Sequence, residues 1–219
     1  FEHKESERLK KLDEFKNRLF TNISHEFRTP LTLISDPIDN QLSKPYLKEV
    51  DREELSMVKR NAGRLLNLVN QILDISKLES GNLKLSVTHD NLELLLKQLV
   101  TPFKFKAQNK QIDFTYTIGK TENVWFDKDV IEKIVLNLLS NALKYTPQNG
   151  FVRFESLIKN DHVIISVTNN GVHYSKEDLQ KLFNRYYQGD KNNDGAGIGL
   201  ALVKELTILS HGNIIAHTL

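Results

Sequence analysis

Residues 21–32 read Thr21-Asn22-Ile23-Ser24-His25-Glu26-Phe27-Arg28-Thr29-Pro30-Leu31-Thr32, and they sit inside a longer apolar stripe. Leu12, Phe15, Leu19, Ile23, Phe27, Leu31 and Ile34 follow one another at steps of 3, 4, 4, 4, 4 and 3. That spacing predicts one amphipathic helix over residues 8 to about 43. Pro30 should kink it or cost it a hydrogen bond, and Pro37 and Pro45 bracket its end and turn. Leu55, Val58, Ala62, Leu65, Val69 and Ile72 repeat the pattern and predict a second helix from about 46 to 79, with Gly81 as its stop. Each helix would run roughly 50 Å at about 1.5 Å per residue, and neither can bury its stripe alone. An antiparallel hairpin is expected, with a second copy completing a four-helix bundle. A plain coiled-coil stalk gives the same periodicity, and pattern alone leaves it open.

On that first helix His25 lies roughly 160° from the centre of the apolar stripe at 100° per residue. Arg18, Asn22, Thr29 and Thr32 share its polar side. A helical histidine is often only a solvated surface group. Here Glu26 can bond one ring nitrogen, fixing the tautomer and making the other more nucleophilic. Thr29, one turn on, places a hydroxyl where it could position a water. A zinc-binding His-Glu-x-x-His helix is the obvious rival, but position 29 is Thr, so the second ligand is missing.

Past Gly81 the texture changes. Of 10 glycines only Gly63 and Gly81 precede residue 100. Gly-poor sequence favours long helices, and clustered glycine favours loops that approach a ligand. Leu83, Leu85 and Val87 alternate as in a strand, and Asp90 or Asn91 can cap a helix through about Gln108. Strands are expected at Ile112 to Ile118 and Val124 to Phe126, then a helix capped by Asp127 and running through Lys144. Phe151 to Ile158 and Val163 to Val167 read as paired strands. A polar, loop-like stretch from Asn184 to Asp194, a helix from about Ile198 to Leu209 and a strand at Asn213 to Ala216 finish the chain. The fold class is α+β: a helical hairpin over residues 1–80, then an α/β two-layer sandwich with a mixed sheet over 83–219.

Composition narrows the function. Thirty Lys+Arg against 28 Asp+Glu in 219 residues leave a net charge of +2, which argues against a nucleic-acid protein built on a broad basic face. With no Cys there is no disulfide, thiol catalysis or cysteine metal site. No apolar run approaches the roughly 20 residues needed to span a bilayer. Phe1 opens a charged stretch, Glu2 to Lys11, with no signal peptide. These features suggest a piece excised from a longer protein, with any membrane anchor in absent segments.

Two stretches in the second half carry chemistry. In Asn137-Leu138-Leu139-Ser140-Asn141-Ala142-Leu143-Lys144-Tyr145-Thr146, the residues Asn137, Asn141 and Lys144 are spaced 4 and 3 and share one helical face. An Asn carbonyl can ligate Mg²⁺ and Lys144 can neutralise phosphate. A helix with incidental Asn is the plainer reading, and it leaves two polar groups on that face unexplained. Gly195-Ala196-Gly197-Ile198-Gly199-Leu200 opens a helix, where backbone N–H groups can approach phosphate. There is no P-loop.

The run Ser24 to Thr32 resembles the H box of sensor histidine kinases, and its wider wording is similar to the hybrid sensors that carry kinase and receiver in one chain. The 137–146 segment resembles the N box of the ATPase fold shared by histidine kinases, gyrase and heat-shock chaperones. Gly195–Leu200 is similar to the second glycine box, and Leu182 to Tyr187 to the F box that precedes a lid over ATP. The resemblance implies that His25 accepts phosphate from ATP, that Glu26 acts as base or orienter, and that Thr29 serves dephosphorylation of a partner. It implies an ATP site from Asn137, Asn141, Lys144, Tyr145, Asn169, Gly171, Arg185, Gly195, Gly197, Gly199 and Leu200, with Mg²⁺ on Asn141. In hydrolysing members a Glu stands at the place of Asn137, so Asn favours transfer over hydrolysis.

The first glycine box departs from the family pattern. It reads Val167-Thr168-Asn169-Asn170-Gly171-Val172-His173, with Asn169 in place of an Asp that binds the adenine amino group and His173 in place of a second glycine. Asn169 keeps an acceptor but loses charge-assisted strength. The implied function is ATP-dependent autophosphorylation of His25 and phosphotransfer to a receiver Asp of a response regulator. The implied setting is a homodimer joined through the hairpin, as the cytoplasmic fragment of a bacterial inner-membrane sensor. The alternative is a dimeric pseudokinase scaffold or phosphatase-biased module with a degenerate nucleotide site.

Overall fold

The computed structural model describes residues 22–23, 26–121, 123–159, 162–188 and 196–218. The chain divides between Leu83 and Lys84 into two compact units.

The first unit is helical. Helix α1 covers 26–42, residues 22 and 23 being helical as well, and α2 is Glu49–Glu79. Their contacts set the direction. Arg28 donates to the Asn70 side-chain oxygen at 3.0 Å, Lys59 pairs with Asp39 at 2.5 Å, and Arg52 donates to the Leu42 and Lys44 carbonyls. Residue numbers fall on α2 as they rise on α1, so the hairpin is antiparallel. Leu31, Ile38, Ala62, Leu73 and Ile75 are buried. Much of the stripe stays open: Phe27 is 54% and Leu65 53% exposed, and Ile34, Val58 and Ile72 are exposed with them.

The second unit is an α/β layer structure. Strand β1 (Val87–Asn91) pairs antiparallel with β3 (Asn123–Asp127). Strand β2 (Asp113–Ile118) runs parallel to β4 (Phe151–Lys159), which pairs antiparallel with β5 (His162–Asn169), so this three-stranded sheet is mixed in the order β2-β4-β5. Helices α3 (Leu92–Asn109), α4 (Lys128–Tyr145), α5 (Lys176–Lys181) and α6 (Gly199–Leu209) complete it. Leu92, Leu96, Val100, Phe103 and Ala107 line one side of α3 at helical spacing and meet Val135, Leu139, Ala142 and Leu143 of α4. On β4 Val152, Phe154 and Ser156 turn inward while Arg153 turns out, the period-2 pattern of a sheet with one covered face.

Three expectations need correcting. The strand expected at Leu83 to Val87 begins at Val87 and runs to Asn91. Pairing with β3 sets it, Val87 lying opposite Asp127, whereas Leu83 and Leu85 alternate with no ladder partner. Asn213 to Ala216 is not a strand. No neighbouring strand pairs with it among the described residues, and Ile215 is exposed. The third difference is α5, which the reading lacked; six residues are too few to build a stripe. Its signal was the cap: the Ser175 hydroxyl accepts the Asp178 N–H at 3.1 Å.

Candidate functional site

The Asn face is built by α4. Asp127 caps its start, one carboxylate oxygen accepting the Val130 N–H at 3.1 Å and the other the Ser86 N–H. Val130, Ile134, Val135, Leu139, Ala142 and Leu143 are buried, which leaves Asn137, Asn141 and Lys144 half-buried on the remaining side. The Asn137 amide donates to the Lys133 carbonyl at 2.7 Å. The Lys144 ammonium donates to the Tyr145 hydroxyl at 3.1 Å and lies 4.7 Å from that ring's centroid.

The end of this helix meets the loop that follows β5. A Cβ on Gly171 would stand 2.5 Å from the Tyr145 carbonyl oxygen and 2.5 Å from the Asn169 amide nitrogen, so only glycine fits there. Next to it, the Asn170 side-chain oxygen accepts the Phe151 N–H at 2.7 Å. The two turns nest. Asn169 closes β5 opposite Val152, half-buried, and His173 is exposed two residues past Gly171. Tyr174 is half-buried, and burial first, then the neighbouring Tyr145 and Asp178, push its phenol above the ordinary value.

A second cluster heads α6, which packs on α4 while α4 also contacts β5. The N-cap of α6 is Ile198, with no side-chain cap and no acidic residue in the first turn. Ile198 offers no side-chain acceptor to the first N–H groups of this helix, and the helix dipole makes that end electropositive. Gly197 has φ +65°, and a Cβ there would come within 2.7 Å of the Tyr187 carbonyl oxygen. The Tyr186 N–H donates to the Gly197 carbonyl at 2.9 Å. Sequence spacing gave no hint of this clip between the F-box end and the glycine turn, because it is made by main-chain atoms.

Asn137, Asn141, Lys144 and Tyr145 thus lie together on α4, Gly171 and Asn169 sit against the end of that helix, and Gly197, Gly199 and Leu200 begin the helix packed beside it. Arg185 is exposed in the turn at 182–186. Glu26 and Thr29 are exposed on α1, in the other unit. His25 and Gly195 lie outside the described residues, as do 189–194 of the polar stretch. Among the described residues no three His, Asp or Glu converge as a metal cage. An amide oxygen such as that of Asn141 still suits Mg²⁺, which takes few protein ligands and completes its shell with phosphates and water. No helix among the described residues is long and apolar enough to cross a membrane.

Comparison with known proteins places both units. Residues 15–81 match the His Kinase A (phospho-acceptor) domain, and residues 126–218 match the histidine kinase-, DNA gyrase B- and HSP90-like ATPase family. Histidine kinase P4 of Formosa agariphila is 34% identical over 96% of this chain and 16% of its own length. ShkA, solved at full length in complex with AMPPNP, aligns with a TM-score of 0.70 at 27% identity, over 88% of this chain and 41% of that one. Histidine kinase ThkA, solved in complex with the response regulator protein TrrA, aligns with a TM-score of 0.59 at 25% identity, over 96% of this chain and 59% of that one. The chain spans only 14% to 22% of the length of the first curated relatives it matches. A phospho-acceptor hairpin followed in one chain by this ATPase fold has one reading: the chain belongs to the sensor histidine kinases and comprises their catalytic core.

Proposed function

We propose that the chain binds ATP, transfers the γ-phosphoryl group to His25, and passes it on to a receiver-domain Asp of a response regulator. The observation that carries the nucleotide half is the N-terminus of α6, which Ile198 leaves without a side-chain cap, headed by the Gly197 turn and packed beside the helix that bears Asn137, Asn141 and Lys144. Backbone N–H groups there suit an anion, and Lys144 adds a positive charge for the phosphates. Asn141 would hold Mg²⁺ through its amide oxygen. The ion, when bound, neutralises charge on the phosphates.

In the transfer step a ring nitrogen of His25 forms a bond to the γ-phosphorus as the bond from that phosphorus to the bridging oxygen breaks, and ADP leaves. Glu26 holds the proton on the other ring nitrogen, so the attacking nitrogen presents its lone pair. Thr29, exposed one turn along α1, positions water when the partner's phospho-Asp is hydrolysed. Phe27, Ile34, Val58, Leu65 and Ile72 leave apolar surface that a second copy of the hairpin would cover, giving a homodimer. The complex of ThkA with TrrA supports a response regulator as partner. The receiver is either a separate chain or part of the same parent protein, which would be anchored in a membrane outside this segment.

Incubation with γ-labelled ATP and Mg²⁺ tests the reading. Acid-labile label that disappears in His25→Gln is expected. No label and no measurable nucleotide binding would overturn it in favour of a scaffold.

A further inference from the structure

The glycine turn ahead of α6 is held by a relay of contacts that begins on α5. The Ser175 hydroxyl accepts the Asp178 N–H and donates to one Asp178 carboxylate oxygen at 2.7 Å. The other carboxylate oxygen accepts the Tyr187 phenolic proton at 2.6 Å. Both partners register the bond. Tyr187 first and Ser175 second hold the Asp178 carboxyl below its ordinary value, and Asp178 pushes the Tyr187 phenol up to about 12.

The main chain around that phenol is what meets Gly197. The Tyr187 carbonyl oxygen lies 2.7 Å from where a Cβ on Gly197 would stand, and the neighbouring Tyr186 N–H closes on the glycine carbonyl. Tyr186 has φ 61°, a left-handed conformation that a bulky residue adopts only when its surroundings enforce it. Its own ring is exposed and cannot enforce anything. The adjacent residue, fixed by its phenol to α5, can.

We propose that Asp178 and Tyr187 are positioning residues for the phosphate tail of the nucleotide: their hydrogen bond fixes the Tyr186–Gly197 clip, and the clip aims the first N–H groups of α6. This rests on the nucleotide reading of the site. Neither residue touches the nucleotide; each acts through the backbone of Gly197.

The test compares ATP with adenosine, which lacks the phosphates, by calorimetric titration of the wild type, Tyr187→Phe, Asp178→Ala and Asp178→Asn. Tyr187→Phe and Asp178→Ala should lower ATP affinity about five- to tenfold, the loss expected for one partly exposed hydrogen bond to a charged group. Asp178→Asn, which keeps an acceptor, should lose less. Adenosine affinity should be unchanged in all three, and in autophosphorylation KM for ATP should rise while kcat holds. The double variant Tyr187→Phe with Asp178→Ala should be no worse than Asp178→Ala alone, since that single already removes the Tyr187 bond. Amide exchange at Tyr186 should quicken in each variant. Unchanged ATP affinity, equal losses for ATP and adenosine, or additive losses in the double variant would each overturn the proposal. Wild-type protein that binds no ATP overturns the nucleotide reading itself, and the proposal with it, before any variant is made.

Discussion

Substituting Gly171 by Ala tests the join between the Asn helix and the loop after β5. The added methyl would stand 2.5 Å from the Tyr145 carbonyl oxygen and 3.0 Å from its carbon. Both are main-chain atoms at the end of α4, so neither can swing aside as a side chain would. Since real Cβ atoms essentially never approach closer than 3.0 Å, one of the two turns must retreat by at least 0.5 Å. Overpacking of this kind costs about 1–3 kcal/mol. For a unit of this size that is a fall in Tm of about 4–12 °C.

Function should suffer more than stability. The retreat displaces Tyr145 and Asn169 relative to each other, and a misplacement near 1 Å at a reacting site can cost about a hundredfold in rate. The assay pairs thermal unfolding with ATP titration and single-turnover phosphorylation. Adding Asn169→Ala removes only the movable neighbour and should not rescue the variant. Gly63→Ala is the matched control: a Cβ there meets nothing within 4 Å, and in a helix interior it should stabilise by about 0.5–1 kcal/mol. A Gly171→Ala protein with wild-type Tm and wild-type ATP affinity would refute the reasoning.

Other perturbations follow from the same contacts. Asn169→Asp restores a charged acceptor at the end of β5 and should tighten ATP binding about tenfold, read by competition with a fluorescent nucleotide. Leu65→Glu puts a charge on the exposed stripe of α2 and should convert dimer to monomer in sedimentation while the helical circular dichroism persists. The Asp178–Tyr187 bond also gives stability a pH window. The phenol is raised from 10.0 to about 12 in the folded state, so its contribution is complete below pH 10 and is lost as pH climbs towards 12. The carboxyl is lowered from 3.8, so its contribution is present above that value and is lost as pH falls below it. Asp178→Asn should lower the plateau and flatten the fall at both ends in pH-jump unfolding, and an unaltered profile would speak against the bond.

Most of the fold was legible because most of it is written in periodicity and caps. The 4-4-3-4 spacing from Leu92 to Ala107, and Asn91 and Asp127 at the helix starts, are local signals, and α3 and α4 begin where those caps stand. The failures were non-local. Leu83 and Leu85 alternate like a strand, but a strand exists only where a ladder forms, and β3 reaches no further than Val87. The segment from Asn213 meets the same limit. Of the candidate site, the Asn face could be read from a 4 and 3 spacing, whereas the reason for Gly171 could not. That reason is the Tyr145 carbonyl, 26 residues earlier in the chain. The clip between Tyr186 and Gly197 was hidden for another cause: side-chain identity barely encodes a bond between two backbone groups.

That clip has an evolutionary consequence. The bond from the Tyr186 N–H to the Gly197 carbonyl joins two backbone groups that stand eleven residues apart in the chain. Lengthening such a loop costs free energy only as the logarithm of its size, about 0.6 kcal/mol per doubling. Relatives can therefore exchange, extend or rewrite this connection while α6 keeps its bearing. Selection can alter the length of that connection separately from how the helix behind it holds its charge.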